Sequence, residues 1–162
     1  MLTDYTSPDE IRAILSLTDD ELENPVILLP IIETLMLEEF AQVSPTLDDK
    51  YKAAVDAAGT DPETKRFIRL VQAFAAYCVA KQFTLTLPLL AVQTEQDARA
   101  SYARFANPLD PVVQSVNASW VKIRGYLVDA YNDLYEPDLT QASYSYTMTG
   151  GVAIGVDPVT NT

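Results

Sequence analysis

The chain has 162 residues, 48% of them hydrophobic, which suits one domain with its own core plus a short appendage. Its net charge of −12 excludes general affinity for nucleic acid or anionic membrane, whose phosphates need Lys and Arg. With no histidine, Ser-His and Cys-His nucleophile pairs and most zinc or di-iron sites are excluded, and the single cysteine, Cys78, excludes an internal disulfide.

The first predicted helix opens at SPDEIRAILSL. Ser7 caps it, Pro8 takes the first helical position, and Glu10 completes a capping box. Ile11, Ile14 and Leu15 form the buried stripe, and the helix is expected to end near Leu17. TDDELEN (18–24) follows as an acidic connector. A second helix is expected from Pro25 to about Val43, with Leu29, Ile32, Met36, Phe40 and Val43 at helical spacing. Leu28, Ile31 and Leu35 add a second apolar stripe, so burial against two neighbours is expected. Pro30 either kinks this helix or marks its true start.

Ser44-Pro45 opens a shorter helix to about Ala58, closed by Gly59. Asp61-Pro62 starts a long central helix to about Phe83, lined by Phe67, Leu70, Val71, Phe74, Tyr77 and Cys78. TLTLPLLAV is ambiguous between a short extended piece and a helix start. A helix over roughly 94–106 is expected next, with Ala98, Tyr102 and Phe105 on one side. Asn107-Pro108 and Pro111 break the chain. The last helix, about 111–135, carries Val112, Val116, Trp120, Ile123, Leu127, Tyr131 and Leu134.

After Glu136-Pro137 the period changes to two. Tyr144, Tyr146, Met148, Val152, Ile154 and Val156 all fall at even positions. A two-residue Gly-Gly turn would split them between faces, whereas a three-residue loop over Thr149 to Gly151, or a straight arm, keeps them together. A lone hairpin is marginal in water, and no confident strand upstream offers it a partner. Extended, residues 137–162 could span roughly 80 Å at ~3.3 Å per residue. The six residues are therefore expected to form an interface with another chain by strand addition or arm exchange. The fold expected is mainly α, a bundle of about five to six helices over 1–136 with an extended or hairpin C-terminal arm over 137–162.

Charge is distributed unevenly. Residues 1–64 carry 15 acids and 3 bases, residues 65–124 carry 3 acids and 8 bases, and residues 125–162 carry 5 acids and no base. Neighbouring copies could meet through these opposite fields, or the charges simply solvate helix faces. Lys65, Arg66 and Arg69, within about a turn of the central helix, are candidates for contact with DNA phosphate or an acidic partner, or for local pairing.

No catalytic signature emerges. Cys78 sits in an apolar helix and is expected to be a core thiol. Gly150-Gly151 with Gly155 lacks the Lys-Ser/Thr of a phosphate loop. The carboxylates Asp129, Asp133 and Glu136, and the pairs Glu38-Glu39 and Asp48-Asp49, lack the spacing of a Ca²⁺ loop or a Glu-x-x-His site. No cofactor, metal or enzymatic activity is expected. MLTDYTSPDE has no basic, then apolar, leader. The runs VILLPII (26–32) and LPLLAV (87–92) are short of the ~20 residues of a membrane span. A soluble intracellular product is expected.

The opening YTSPDEIRAIL, the alanine-rich KRFIRLVQAFAAYCVAKQF, the late WVKIRGYLVDAYNDLYEP and the uncharged arm together resemble, in element order, the head-to-tail adaptor (connector) proteins of tailed bacteriophages. The resemblance implies a structural virion protein at the head-tail junction, made in the host cytoplasm. It would form a homo-oligomeric ring, commonly of twelve copies, below the portal protein. The ring would extend the DNA channel without sequence-specific binding and join a tail or further neck protein. An acidic helical binding module or assembly chaperone, acting as monomer or dimer, is the competing reading, and a carboxylate-only enzyme is a third.

Overall fold

A computed structural model describes residues 1–57, 61–84, 94–97, 100–103 and 110–135. These build a mainly helical fold, as expected from the sequence. A 3₁₀ turn, Leu2–Asp4, precedes α1 (Pro8–Leu15), α2 (Asn24–Ile27), α3 (Pro30–Ala41), α4 (Leu47–Asp56), α5 (Pro62–Phe83) and α6 (Asp110–Tyr135).

The capping box of α1 forms as expected. Glu10 N–H donates to Ser7 Oγ at 3.2 Å, and Ser7 N–H donates to Glu10 Oε2 at 3.1 Å. Ser16 closes α1 in the left-handed region (φ 57°), and Leu17 N–H bonds back to the Arg12 carbonyl at 3.0 Å. α5 has the bounds expected of it, with the Asp61 carboxylate accepting from the N–H groups of Glu63 and Thr64.

α5 is the core helix. It packs along α6 and against α1, α3 and α4. Phe67, Val71, Phe74, Ala75, Cys78, Val79 and Ala80 are fully buried along it. Phe67 meets Tyr131 and Tyr135 while Phe74 meets Trp120, so α5 and α6 run antiparallel. Phe74 also stacks on Phe40 of α3 (5.9 Å), whose ring takes the edge of Tyr5 (5.5 Å), and Tyr5 stacks on Tyr51 of α4 (5.0 Å). This run of rings joins the N-terminal turn, α3, α4, α5 and α6. Each such pair adds ~0.5–1.5 kcal/mol beyond burial alone.

Hydrogen bonds fix the N-terminal turn on α4. Tyr51 donates to the Asp4 carbonyl (2.8 Å), Tyr5 donates to Asp48, and Lys52 donates to Asp48 (2.8 Å). Burial works to raise the Asp48 carboxyl, but the Lys52 and Tyr5 hydrogen bonds outweigh it and hold the group below its ordinary value.

Of the two readings left open at Pro30, the structure takes the one in which a helix starts there: α2 ends at Ile27 and α3 begins at Pro30, because Pro30 lacks an N–H and forces Leu29 into an extended conformation (ψ 134°). One expectation is corrected. The helix expected over 94–106 is instead, where described, an antiparallel pair: β1 (Thr94–Asp97) with β2 (Ala100–Ala103), Thr94 opposite Ala103 and Asp97 opposite Ala100. Its supposed apolar stripe consisted of Ala98, Tyr102 and Phe105 alone. So narrow a face gives a helix of that length little tertiary packing, and without packing such helices are marginal.

The readings that Gly59 closes α4 and that TLTLPLLAV is extended or helical fall, beyond Thr84, outside the described residues. So does the whole arm, residues 137–162.

Candidate interaction surface

The most unusual feature of the body is an apolar face at the α2–α3 junction that stays exposed among the described residues. Pro30 resets the helical phase there, so Ile27 and Ile32 point into the core while their neighbours point out. Val26, Leu28, Leu29 and Ile31 are 39%, 42%, 47% and 56% exposed. Four clustered large aliphatics at that exposure exceed the scattered apolar residues of an ordinary surface. The expectation that this stripe is buried on two sides is therefore corrected. Ile32, Met36 and Phe40 are buried, but Leu28 and Ile31 have no second neighbour among the described residues.

The face is held rigidly. Arg12, almost fully buried although charged, donates from Nη1 to the Leu22 carbonyl (3.0 Å) and to Asn24 Oδ1 (2.7 Å), and from Nη2 to Asp9 (2.5 Å). It ties α1 to the connector and to the start of α2. Leu22 plugs the core beside it. Thr18 N–H and Oγ1 both donate to Glu21 Oε2 (2.8 and 2.9 Å), closing the connector on itself. Asp19, Asp20 and Glu23, in and just before the chain's entry to α2, are all exposed.

On α6, Val121 is 61% and Tyr126 46% exposed, and their spacing of five residues sets them about 140° apart around the helix. Lys122, also exposed, holds its Nζ 5.8 Å from the Tyr126 ring. Gly125 lies one turn after Val121, with exposed Asp129 a turn further on, and a Cβ built there would meet nothing within 4 Å. No internal packing requires that glycine.

Lys65, Arg66 and Arg69 are exposed in the first turns of α5. Arg69 Nε donates to the Lys65 carbonyl (3.3 Å), and among the described residues none of the three forms an ion pair. They remain an open basic cluster. The six predicted interface residues, Tyr144, Tyr146, Met148, Val152, Ile154 and Val156, lie outside the described residues.

Cys78 is fully buried, and burial pushes its thiol up to about 12, far from a reactive thiolate. Among the described residues no His, Cys, Asp and Glu cluster could hold a metal, and no helix is long and apolar enough to cross a membrane. A shallow pocket of about 300 Å³ beside Thr3, Asp4, Thr6, Glu10 and Gln72 has two acids in its lining. Glu10 accepts from the Ser7 N–H and the Thr6 hydroxyl, and Asp4 accepts from the Met1 ammonium group.

Between α3, α5 and α6, Lys81 Nζ lies 3.6 Å over Trp120 and 3.3 Å from Glu39 Oε1, while Arg124 reaches the Gln42 carbonyl at 3.3 Å. Among the described residues Glu39 Oε2 and Arg124 Nε are buried without hydrogen-bond partners, and the Trp120 indole lies against the Cys78 thiol. This cluster clamps three helices together, and the Cys78 thiol adjoins it, kept protonated by burial beside Trp120, Glu39, Lys81 and Arg124.

Sequence reasoning missed Arg12, Val121 and Tyr126. Arg12 had a signal, a lone charge beside Ile11 within the apolar stripe of α1. No protein family, characterised protein or solved structure matches the chain.

Proposed function

We propose that this protein is a non-enzymatic head-to-tail adaptor of a tailed bacteriophage. In this reading a ring of its copies sits below the portal protein, extends the DNA channel and receives a tail or neck protein. One observation carries it: a mainly helical body is followed by the uncharged segment 143–156, whose large residues keep strict period-two parity. Such a segment needs a strand to pair with, which either another chain or an edge of the short β1–β2 pair would supply, and the adaptor reading takes the first.

The charge supports the same reading. A channel wall that DNA slides through should not grip phosphates, and the chain carries −12. The exposed Lys65, Arg66 and Arg69 would then face an acidic protein neighbour rather than DNA. The acidic connector also suits an assembly chaperone, and the arm separates the two readings.

The test is binding of the full chain and of a chain truncated after Glu136 to an isolated portal ring. Binding by the full chain, lost on truncation with helicity and melting temperature unchanged, supports the adaptor reading. Equal binding by both, or none by either, refutes it.

A further inference from the structure

We propose that the uncharged arm segment 139–156 of one copy seats its apolar side on the α2–α3 face of the next. The inference rests on the ring reading above and names the surface that receives the arm. Two separate observations carry it. The body exposes Val26, Leu28, Leu29 and Ile31 together. The arm sequence is apolar on one side only, with Tyr144, Tyr146, Met148, Val152, Ile154 and Val156 all at even positions.

Backbone pairing alone does not complete such an arm. In a hairpin, or beside another strand, the six residues share one side, and a two-stranded unit is stable only when that side is packed, as against a helix. The α2–α3 face is such a helix surface, and its four aliphatics exceed what an ordinary surface exposes. Charge narrows the choice of occupant. The chain carries −12, Glu23 is the N-cap residue of α2, and Asp19 and Asp20 are exposed just upstream. Acidic surface is repelled from this end of the body. Residues 139–156 carry no charge and can be buried there without stranding one.

Placement favours a neighbour's face over the arm's own. α6 ends near the C-terminal end of α3. The Tyr131 hydroxyl is hydrogen-bonded to Ser44 (3.0 Å) and Thr46 (2.6 Å), and the Tyr135 ring lies against Lys50 and Phe67. The apolar face lies at the other end of α3, 12 residues or ~18 Å of helix away. To reach its own face, an arm must run back along the body through residues 136–142, which span ~23 Å at most. A copy set head to tail presents its face at the arm's exit instead. Such a contact is heterologous, and it repeats into a ring where the rotation closes.

The experiment uses full-length Leu29→Cys and Tyr146→Cys proteins and a short bis-maleimide, alone and on a portal ring. Cys78 is buried and does not compete. Mixing the two variants should give a cross-linked dimer that the Leu29→Cys protein does not form by itself. Ser145→Cys in place of Tyr146→Cys moves the thiol to the opposite side of the arm and should lower the yield several-fold. Ile31→Asp in the Leu29→Cys partner should do the same, with the thermal melt unchanged because Ile31 is exposed.

A cross-link within one chain of a Leu29→Cys/Tyr146→Cys double variant, with no mixed product, would overturn the proposal in favour of an arm folded on its own body. Self-linking of the Leu29→Cys protein would overturn it in favour of a two-fold dimer. No product under either condition, or a yield indifferent to Ile31→Asp, would overturn it outright. The mixed product without portal binding would leave this contact standing and remove the adaptor reading. Portal binding as a ring without the mixed product would do the reverse.

Discussion

Replacing Arg12 by methionine keeps the apolar stem and removes the guanidinium that ties the connector to α1. The side chain is only 9% exposed, and it donates to the Leu22 carbonyl and to Asn24 at 3.0 and 2.7 Å. Hydrogen bonds from a charged donor contribute ~1.5–3 kcal/mol each. The Asp9 ion pair adds little, because that carboxylate is 89% exposed and screened by solvent. Against this gross loss, methionine avoids the several kcal/mol of guanidinium desolvation. The net destabilisation expected is about 2 kcal/mol. In a chain of this size that lowers the melting temperature by ~4–8 °C.

Urea unfolding followed by circular dichroism measures it, with Asp9→Ala as a control expected to stay within ~1 kcal/mol of the parent. Limited proteolysis should cut the variant first within residues 18–24, where the connector has lost its anchor. An Arg12→Met protein within ~0.5 kcal/mol of the parent, and equally resistant there, would show that Leu22 and Ile27 hold the connector by packing alone.

Gly125→Ala should stabilise the isolated body by ~0.5–1 kcal/mol, because the glycine weakens α6 and the added methyl meets nothing within 4 Å; thermal melts check this. Cys78 should resist maleimide in the native protein at neutral pH and label fully in denaturant, as its burial and raised thiol require. Tyr5, Tyr51 and Tyr135 are all held above their ordinary value of 10.0, with burial the leading cause in each. Their stabilising share is present below pH 10 and lost as pH rises beyond it, since the unfolded phenols ionise first. Urea midpoints should therefore fall above pH 10, and Tyr5→Phe should make that fall shallower.

Helices whose ends and faces are both encoded locally were legible in the sequence. Ser7, Pro8 and Glu10 set the start of α1, Asp61-Pro62 that of α5, and the apolar repeat from Val112 to Leu134 traces α6. Pro30 left two readings open, and the structure takes the one in which it starts a helix. Periodicity could not say which apolar stripes are covered. Ile32 and Leu28 look alike in sequence, and only the placement of α3 on α5 decides that one is buried and the other exposed.

The same limit hid Arg12, whose three acceptors come from a turn and a connector up to twelve residues away. The 94–106 window misled because helix-forming residues without a broad apolar face carry a weak signal, and backbone pairing between β1 and β2 is not written in side-chain period. The exposed apolar face of α2 and α3 became visible only once the core had been assigned.

Native mass spectrometry of the full chain, alone and with a portal ring, tests the central claim most directly. The account predicts one closed stoichiometry above the dimer, reached in solution or on the portal, and reduced to monomer by charged substitutions at Leu29 and Ile31. A chain that stays monomeric or dimeric under both conditions would contradict it.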